Sequence, residues 1–157
     1  MLNKNQYTII KADVSHIARI KEINLEFNGE KYSDEHLNMF FNYNVPITLI
    51  QNQNNQIVGY LINFVYFDEM KIINFMVEPK YQGQGYGKAL LLSVLKDVLV
   101  QDIRYVMLNV RINNINAINL YKSVGFEIIS TRENYYENCN SYLMQLKMQE
   151  ATILSIM

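Results

Sequence analysis

Apolar residues return along this chain at two periods, near two and near three and a half, and the switches between them mark out its elements. Residues 6 to 11 (QYTIIK) read as a short strand. Ile17, Ile20 and Ile23 then recur at helical spacing, with Asp13 or Ser15 placed to cap the helix start. A second helical stripe, Leu37, Phe40 and Phe41, begins near Ser33, carries Glu35 and His36 in its first turn and stops at Tyr43 to Pro46. Runs rich in Ile, Val, Phe and Tyr follow at residues 47 to 51 and 56 to 67, separated by the polar QNQNN, and again at 71 to 78 beyond a turn at Asp68 and Glu69. Three such runs in succession predict an antiparallel meander. A long helix to about Val100, with Leu91, Leu95 and Val98 on its core face, leads to a strand at 104 to 110 and a short helix at 114 to 123. A strand pair at 126 to 132 and 141 to 148 closes the pattern. The predicted class is α/β in the α+β sense: a mixed, mostly antiparallel central sheet of about seven strands flanked by about four helices.

No low-complexity linker interrupts this order, and 157 residues suit one core, so residues 1–148 are expected to form a single domain with 149–157 as a C-terminal tail. Half the residues are hydrophobic and 18% are charged, the balance of a folded chain. Fourteen basic against fifteen acidic residues leave a net charge of −1, without the positive field that a nucleic-acid partner requires. The longest apolar stretch, Ala89 to Leu95, contains Ser93 and ends at Lys96 and Asp97, so no membrane span is expected. The N-terminus MLNKNQYT is polar, unlike a secretory leader, and the one cysteine, Cys139, suits a reducing compartment. A cytoplasmic protein is the expectation. His16 and His36 have no metal-ligand partners at useful spacing, so no metal is expected.

The distinctive chemistry lies in VEPKYQGQGYGKALLLSVL, residues 77 to 95. Gly83, Gly85 and Gly87 fall between a predicted strand and a predicted helix. A turn without Cβ atoms at a helix N-terminus presents backbone N–H groups and the positive end of the helix dipole to an anion, which points to a phosphate-bearing ligand. The spacing G-x-G-x-G after antiparallel strands is not the dinucleotide fingerprint. Nor is it a P-loop, since Lys88 follows a lone glycine and precedes neither Ser nor Thr.

At these residues the chain resembles the Gcn5-related N-acetyltransferase (GNAT) superfamily, whose pyrophosphate loop reads Gln/Arg-x-x-Gly-x-Gly/Ala; Gln82, Gly85 and Gly87 match it. The likeness continues through LNVRINNINAINLYKSVGFEII and ENYYENCNSYLMQLKM, which are similar to RimI-type ribosomal-protein-alanine N-acetyltransferases, and it covers roughly residues 7 to 148. The resemblance implies the GNAT fold and acetyl-CoA as cosubstrate. Gln82, Gly83, Gln84, Gly85, Tyr86, Gly87 and Lys88 would hold its pyrophosphate, and Phe75, Met76 and Val77 would present backbone groups to its acetyl and pantetheine portions from a splayed strand. Asn114, in NINAINLY, would bond the pantetheine arm.

Tyr121 lies on a helical stripe with Ala117, Leu120 and Val124, where a tyrosine is ordinarily a core aromatic. The resemblance makes it the general acid that protonates the departing thiolate, a role a phenol of pKa near 10 can fill. RimI-type enzymes carry a basic glutamate twelve residues earlier, in Leu-Glu-Val-Arg; here the stretch is Leu108, Asn109, Val110, Arg111. An amide accepts no proton at neutral pH. An N-terminal amine needs less help than a lysine, being roughly a tenth to a quarter neutral near pH 7 against about a tenth of a percent. Glu30, in FNGEKY, matches a glutamate of some eukaryotic N-terminal acetyltransferases; its plainer reading is a solvated helix-end residue beside Lys31. By the same resemblance Tyr135 and Tyr136, in the loop between the final two strands, hold the substrate's backbone, Asn109 faces it, and Tyr32 lines the opposite wall.

Three functions fit these residues. The leading one is acetyl transfer to a protein N-terminus, as on a ribosomal protein. The others are transfer to a small amine such as a polyamine or aminoglycoside, and acetyl-CoA binding without catalysis. By resemblance the chain would be a monomer or weak homodimer.

Overall fold

The Asp13 carboxylate accepts a hydrogen bond from the Ser15 backbone at 2.9 Å, and the short turn it caps, Val14–His16, runs directly into the first helix. The computed structural model describes residues 2–26, 30–136 and 139–149. In chain order they form β1 (Tyr7–Lys11), α1 (Ile17–Asn24), α2 (Asp34–Asn42), β2 (Ile47–Asn52), β3 (Ile57–Tyr66), β4 (Glu69–Val77), α3 (Tyr86–Val98), β5 (Tyr105–Arg111), α4 (Ile115–Val124), β6 (Glu127–Tyr136) and β7 (Cys139–Lys147). Each predicted element is present, within a few residues of its expected ends. Ser33 caps α2 by accepting from the His36 backbone at 3.2 Å, and Gly125, at φ 113°, ends α4 in the left-handed conformation that glycine adopts without strain.

The seven strands form one sheet in the order β1-β2-β3-β4-β5-β7-β6. β1 with β2, β2 with β3, β5 with β7 and β6 with β7 pair antiparallel. β4 and β5 pair parallel, which requires a crossover, and α3 supplies it. The expected mixed, mostly antiparallel sheet of seven strands with four helices is thus observed. Pairing of β7 with β5, which sets it inside β6, was not predicted. The last two strands are also longer than predicted, so Tyr135 and Tyr136 close β6 and Cys139 opens β7; the resemblance had set the two tyrosines in a loop. Hairpin pairing of Tyr136 with Cys139 accounts for the extension.

Packing resolves into two compact units, Met1–Phe64 with Asn74–Leu95, and Val65–Ile73 with Lys96–Met157. In the first, Ile20, Ile23, Leu37, Ile47, Leu49 and Ile62 form a core cluster. In the second, Val106, Leu108 and Val110 alternate on the buried face of β5, with Met144 and Leu146 of β7 and Ile118 and Val124 of α4 also buried. Residues 150–157, most of the expected tail, lie outside the described residues. Among the described residues no helix is long and apolar enough to cross a membrane.

Candidate functional site

The glycine cluster lies wholly in the first unit and forms a strand-to-helix turn. β4 ends at Val77; a 3-10 turn, Pro79–Tyr81, follows, and α3 begins at Tyr86. Gly83 has φ 77° and Gly85 φ 98°, values that side-chain-bearing residues reach only with strain. Gly87 has no such angle, so the first two glycines shape the turn and the third is a helical residue. A Cβ at Gly83 would meet nothing within 4 Å, leaving open space above the turn, while one at Gly85 would touch Leu2 at 3.6 Å. Gln82, Gly83 and Gln84 are exposed, and buried Tyr86 anchors the turn below. No acidic residue stands in the first turn of α3, which carries Lys88. Open space over Gly83 and a helix N-terminus with no acidic residue in its first turn fit a pyrophosphate.

Side-chain bonds tie this turn to the strands before it. Gln82 donates from Nε2 to the Val77 carbonyl at 2.7 Å. Arg19 of α1 donates to the Ile57 carbonyl at 2.8 Å and pairs with Glu78 at the turn's start. Upstream, the β4–β5 ladder covers Glu69 to Ile72, and Phe75, Met76 and Val77 lie beyond its last pair. The burial alternation of β4 also lapses there, with Phe75 and Met76 both half-buried. Gly59 of β3 passes so close that a Cβ on it would stand 2.9 Å from the Met76 carbonyl oxygen.

The acceptor-side residues of the first unit are held differently. Glu30 is exposed, whereas Tyr32 is 7% exposed and its ring packs edge-on to Phe40 at 5.4 Å. Its hydroxyl accepts from Asn74 Nδ2 at 3.2 Å. Asn74 Oδ1 accepts from the Tyr60 hydroxyl at 2.7 Å, and that hydroxyl accepts from Asn24 Nδ2 at 3.1 Å. The circuit closes where the Tyr32 backbone donates to Asn24 Oδ1 at 2.8 Å. All four residues are buried. Burial pushes the Tyr32 phenol up to about 12, opposed by the Asn74 hydrogen bond and assisted by the nearby Glu30 charge, and burial raises Tyr60 as well.

In the second unit, Asn109 of β5 donates from Nδ2 to the Tyr135 hydroxyl at 3.2 Å. Tyr135 is 41% exposed, and the Arg132 guanidinium lies 5.4 Å from its ring centroid. Asn109, assigned to the substrate side, is thus bonded to Tyr135, a pairing the sequence did not predict. Asn114 caps α4, its Oδ1 accepting from the Ala117 backbone at 3.2 Å, a bond that does not use its Nδ2 donor. Tyr121 is 7% exposed, with its ring 5.6 Å from that of Phe126. The Tyr136 side chain lies outside the described residues. Among the described residues no cluster of His, Cys, Asp and Glu suits a metal.

Sequence reading missed Asn24, Gly59, Tyr60 and Asn74. The asparagines left a signal: Asn24 stands four positions after Ile20 on the buried stripe of α1, and Asn74 continues the buried alternation of Met70 and Ile72. A polar residue at a core position demands a partner.

The family model for the acetyltransferase (GNAT) family matches residues 17–126. Over 84 residues the chain is 38% identical to the ribosomal protein bS18-alanine N-acetyltransferase of Escherichia coli, covering 54% of this chain and 57% of that enzyme. The chain thus spans a little over half the length of the curated relatives it matches. A crystal structure of the ribosomal-protein-S18-alanine N-acetyltransferase from Escherichia coli superposes with TM-score 0.82 at 24% identity, covering 91% of this chain and 94% of that one. A variant of the spermidine N-acetyltransferase from Vibrio cholerae superposes with TM-score 0.81 at 15% identity, covering 92% and 95%. The shared fold does not discriminate between protein and polyamine acceptors.

Proposed function

The chain belongs to the acetyltransferase (GNAT) family, and from that membership we propose that it transfers the acetyl group of acetyl-CoA to the α-amino group of a protein N-terminus. The observation that carries the proposal is the 38% identity over 84 residues to a ribosomal protein bS18-alanine N-acetyltransferase, supported by a strand-to-helix turn with positive φ at Gly83 and Gly85. Acetyl-CoA supplies the activated thioester carbonyl. The turn from Gln82 to Lys88 holds its pyrophosphate, Phe75 to Val77 offer backbone groups to the pantetheine and acetyl portions, and Asn114 Nδ2 donates to the pantetheine arm.

In the reaction the amine nitrogen bonds the acetyl carbon, the carbon–sulfur bond breaks, and Tyr121 gives its proton to the departing sulfur. The amine loses one proton in turn. A glutamate on β5 in direct reach of the amine is unnecessary, because an amine of pKa near 8 is already partly neutral. Water relayed to Glu30 accepts the proton, Tyr121 regains one and Glu30 loses one to solvent after the products leave, and Tyr135, oriented by Asn109, bonds the peptide backbone. Positioning of the two reactants supplies most of the acceleration. The Arg132 guanidinium beside Tyr135 favours a peptide over a polycationic amine, which calls for an acidic lining. The reaction is placed in the cytoplasm, with a ribosomal protein as the acceptor class suggested by the relative.

The test is release of free thiol from acetyl-CoA by the purified chain with a panel of short peptides and with spermidine, mass spectrometry locating the acetyl group. Acetylation of the peptide α-amine supports the proposal. Activity on spermidine alone, or tight acetyl-CoA binding without turnover on any amine, overturns it.

A further inference from the structure

Asn24 occupies a core position at the C-terminal end of α1 and spends its side-chain amide on the backbone of the segment that returns toward α2. Its Nδ2 donates to the Glu30 carbonyl at 3.1 Å and its Oδ1 accepts from the Tyr32 backbone N–H at 2.8 Å. One side chain thus grips both ends of Glu30-Lys31-Tyr32, as a paired strand would. Lys31 adds a cation at the helix end, donating to the Leu25 carbonyl at 2.8 Å and the Asn24 carbonyl at 3.3 Å. The grip is braced from below, where the Tyr60 hydroxyl bonds Asn24 and Asn74, and Asn74 bonds the Tyr32 hydroxyl. Asn74 directly precedes Phe75, and Tyr60 directly follows Gly59, which sets the approach of β3 to Met76.

A hydrophobic core requires none of this. Three polar side chains buried at stripe positions of α1, β3 and β4 stabilise little over an apolar filling and are costly when incompletely bonded. What the circuit does achieve is a fixed height and direction for residues 30–32 relative to the backbone of β4. We propose that Asn24, Tyr60 and Asn74 are positioning residues for the acceptor amine: through their closed hydrogen-bond circuit they hold the Glu30–Tyr32 segment at the β4 backbone that presents the acetyl group. Because the Tyr32 hydroxyl is turned into this circuit, Tyr32 contributes a ring wall, and Glu30 is the carboxylate of this segment, exposed beside Lys31. The proposal rests on the acetyl-transfer reading and deepens it.

The experiment compares the full chain with Asn24→Ala and Tyr60→Phe. It measures kcat, the KM for an acceptor peptide and the KM for acetyl-CoA, together with backbone amide exchange at Tyr32. The expected result is an acceptor KM raised about tenfold in Asn24→Ala and about threefold in Tyr60→Phe, with acetyl-CoA KM within about twofold of the parent. Tyr32 amide exchange accelerates in both. A merely structural role lowers the folded fraction, which reduces apparent kcat and leaves the acceptor KM unmoved; that result overturns the proposal, as does a parallel rise in both KM values. Tyr60→Phe, nearly isosteric, answers the question if Asn24→Ala does not fold. An active parent with unchanged variants removes the positioning role alone. A parent inactive on every peptide removes the acetyl-transfer reading, and the positioning role with it.

Discussion

Around Tyr32, four buried side chains close a hydrogen-bonded circuit; around Tyr135, an asparagine amide reaches a phenol that remains 41% exposed. Both tyrosines carry the same family assignment, to the acceptor side, and both bond an asparagine. The difference is desolvation. In the first region every donor has surrendered water, so each missing partner leaves an unsatisfied group in a low-dielectric interior. In the second, the bond itself is exposed, so water replaces the partner that Tyr135 loses. Two tyrosines with the same expected role are thus fixed in one place and adjustable in the other.

The sharpest way to break this contrast is Asn74→Ala, which strips the Tyr60 hydroxyl of its acceptor and the Tyr32 hydroxyl of its donor. We expect a loss of about 3 kcal/mol of unfolding free energy, read from the urea midpoint at unchanged slope. A loss below about 1 kcal/mol would mean that water enters the circuit. Nearly as large, but in rate, is Tyr121→Phe. Turnover should fall about 100-fold, roughly 2.7 kcal/mol, while calorimetric acetyl-CoA affinity stays the same, and unchanged turnover removes its role as acid.

Titration separates the regions next. The buried Tyr32 phenol, raised to about 12, stays neutral in the fold above the pH where the unfolded side chain, near 10, has ionised. Its contribution is complete below pH 10 and is lost between pH 10 and about 12, at close to 1.4 kcal/mol per pH unit. Denaturant midpoints measured across that window should fall steeply, and Tyr32→Phe should flatten part of the fall. Tyr60, also raised by burial, supplies the remainder in the same direction. The smallest effect belongs to Tyr135→Phe. Stability should change by less than about 0.5 kcal/mol, with acceptor KM rising severalfold. A stability loss matching that of Asn74→Ala would erase the distinction.

Local features of the site were readable from residues alone. Gly83 and Gly85 between an apolar strand and an amphipathic helix announced a strand-to-helix turn, and the structure gives both a positive φ. Exclusion of the dinucleotide and P-loop patterns needed only spacing. The assignments of Tyr121, Glu30 and Tyr135 came from resemblance, because an aromatic on a helical stripe or a carboxylate at a helix end has no distinguishing pattern of its own. Asn109 illustrates the limit. Its departure from the family's glutamate was plain in Leu108-Asn109-Val110-Arg111, yet its bond to Tyr135 joins residues 26 positions apart and follows from neither.

By itself, the sequence determined the class and count of elements, the start of the first two helices, the glycine turn and the family, since each depends on neighbours within a few residues or on a motif at fixed spacing. Tertiary structure alone decided that β7 pairs beside β5, that Phe75 to Val77 lie past the end of the β4–β5 ladder, and that Asn24, Tyr32, Tyr60 and Asn74 meet. The physical reason is that a buried polar group advertises in sequence only that it needs a partner. Which partner it finds, tens of residues away, is set by the packing of α1, β3 and β4 around one point in the core.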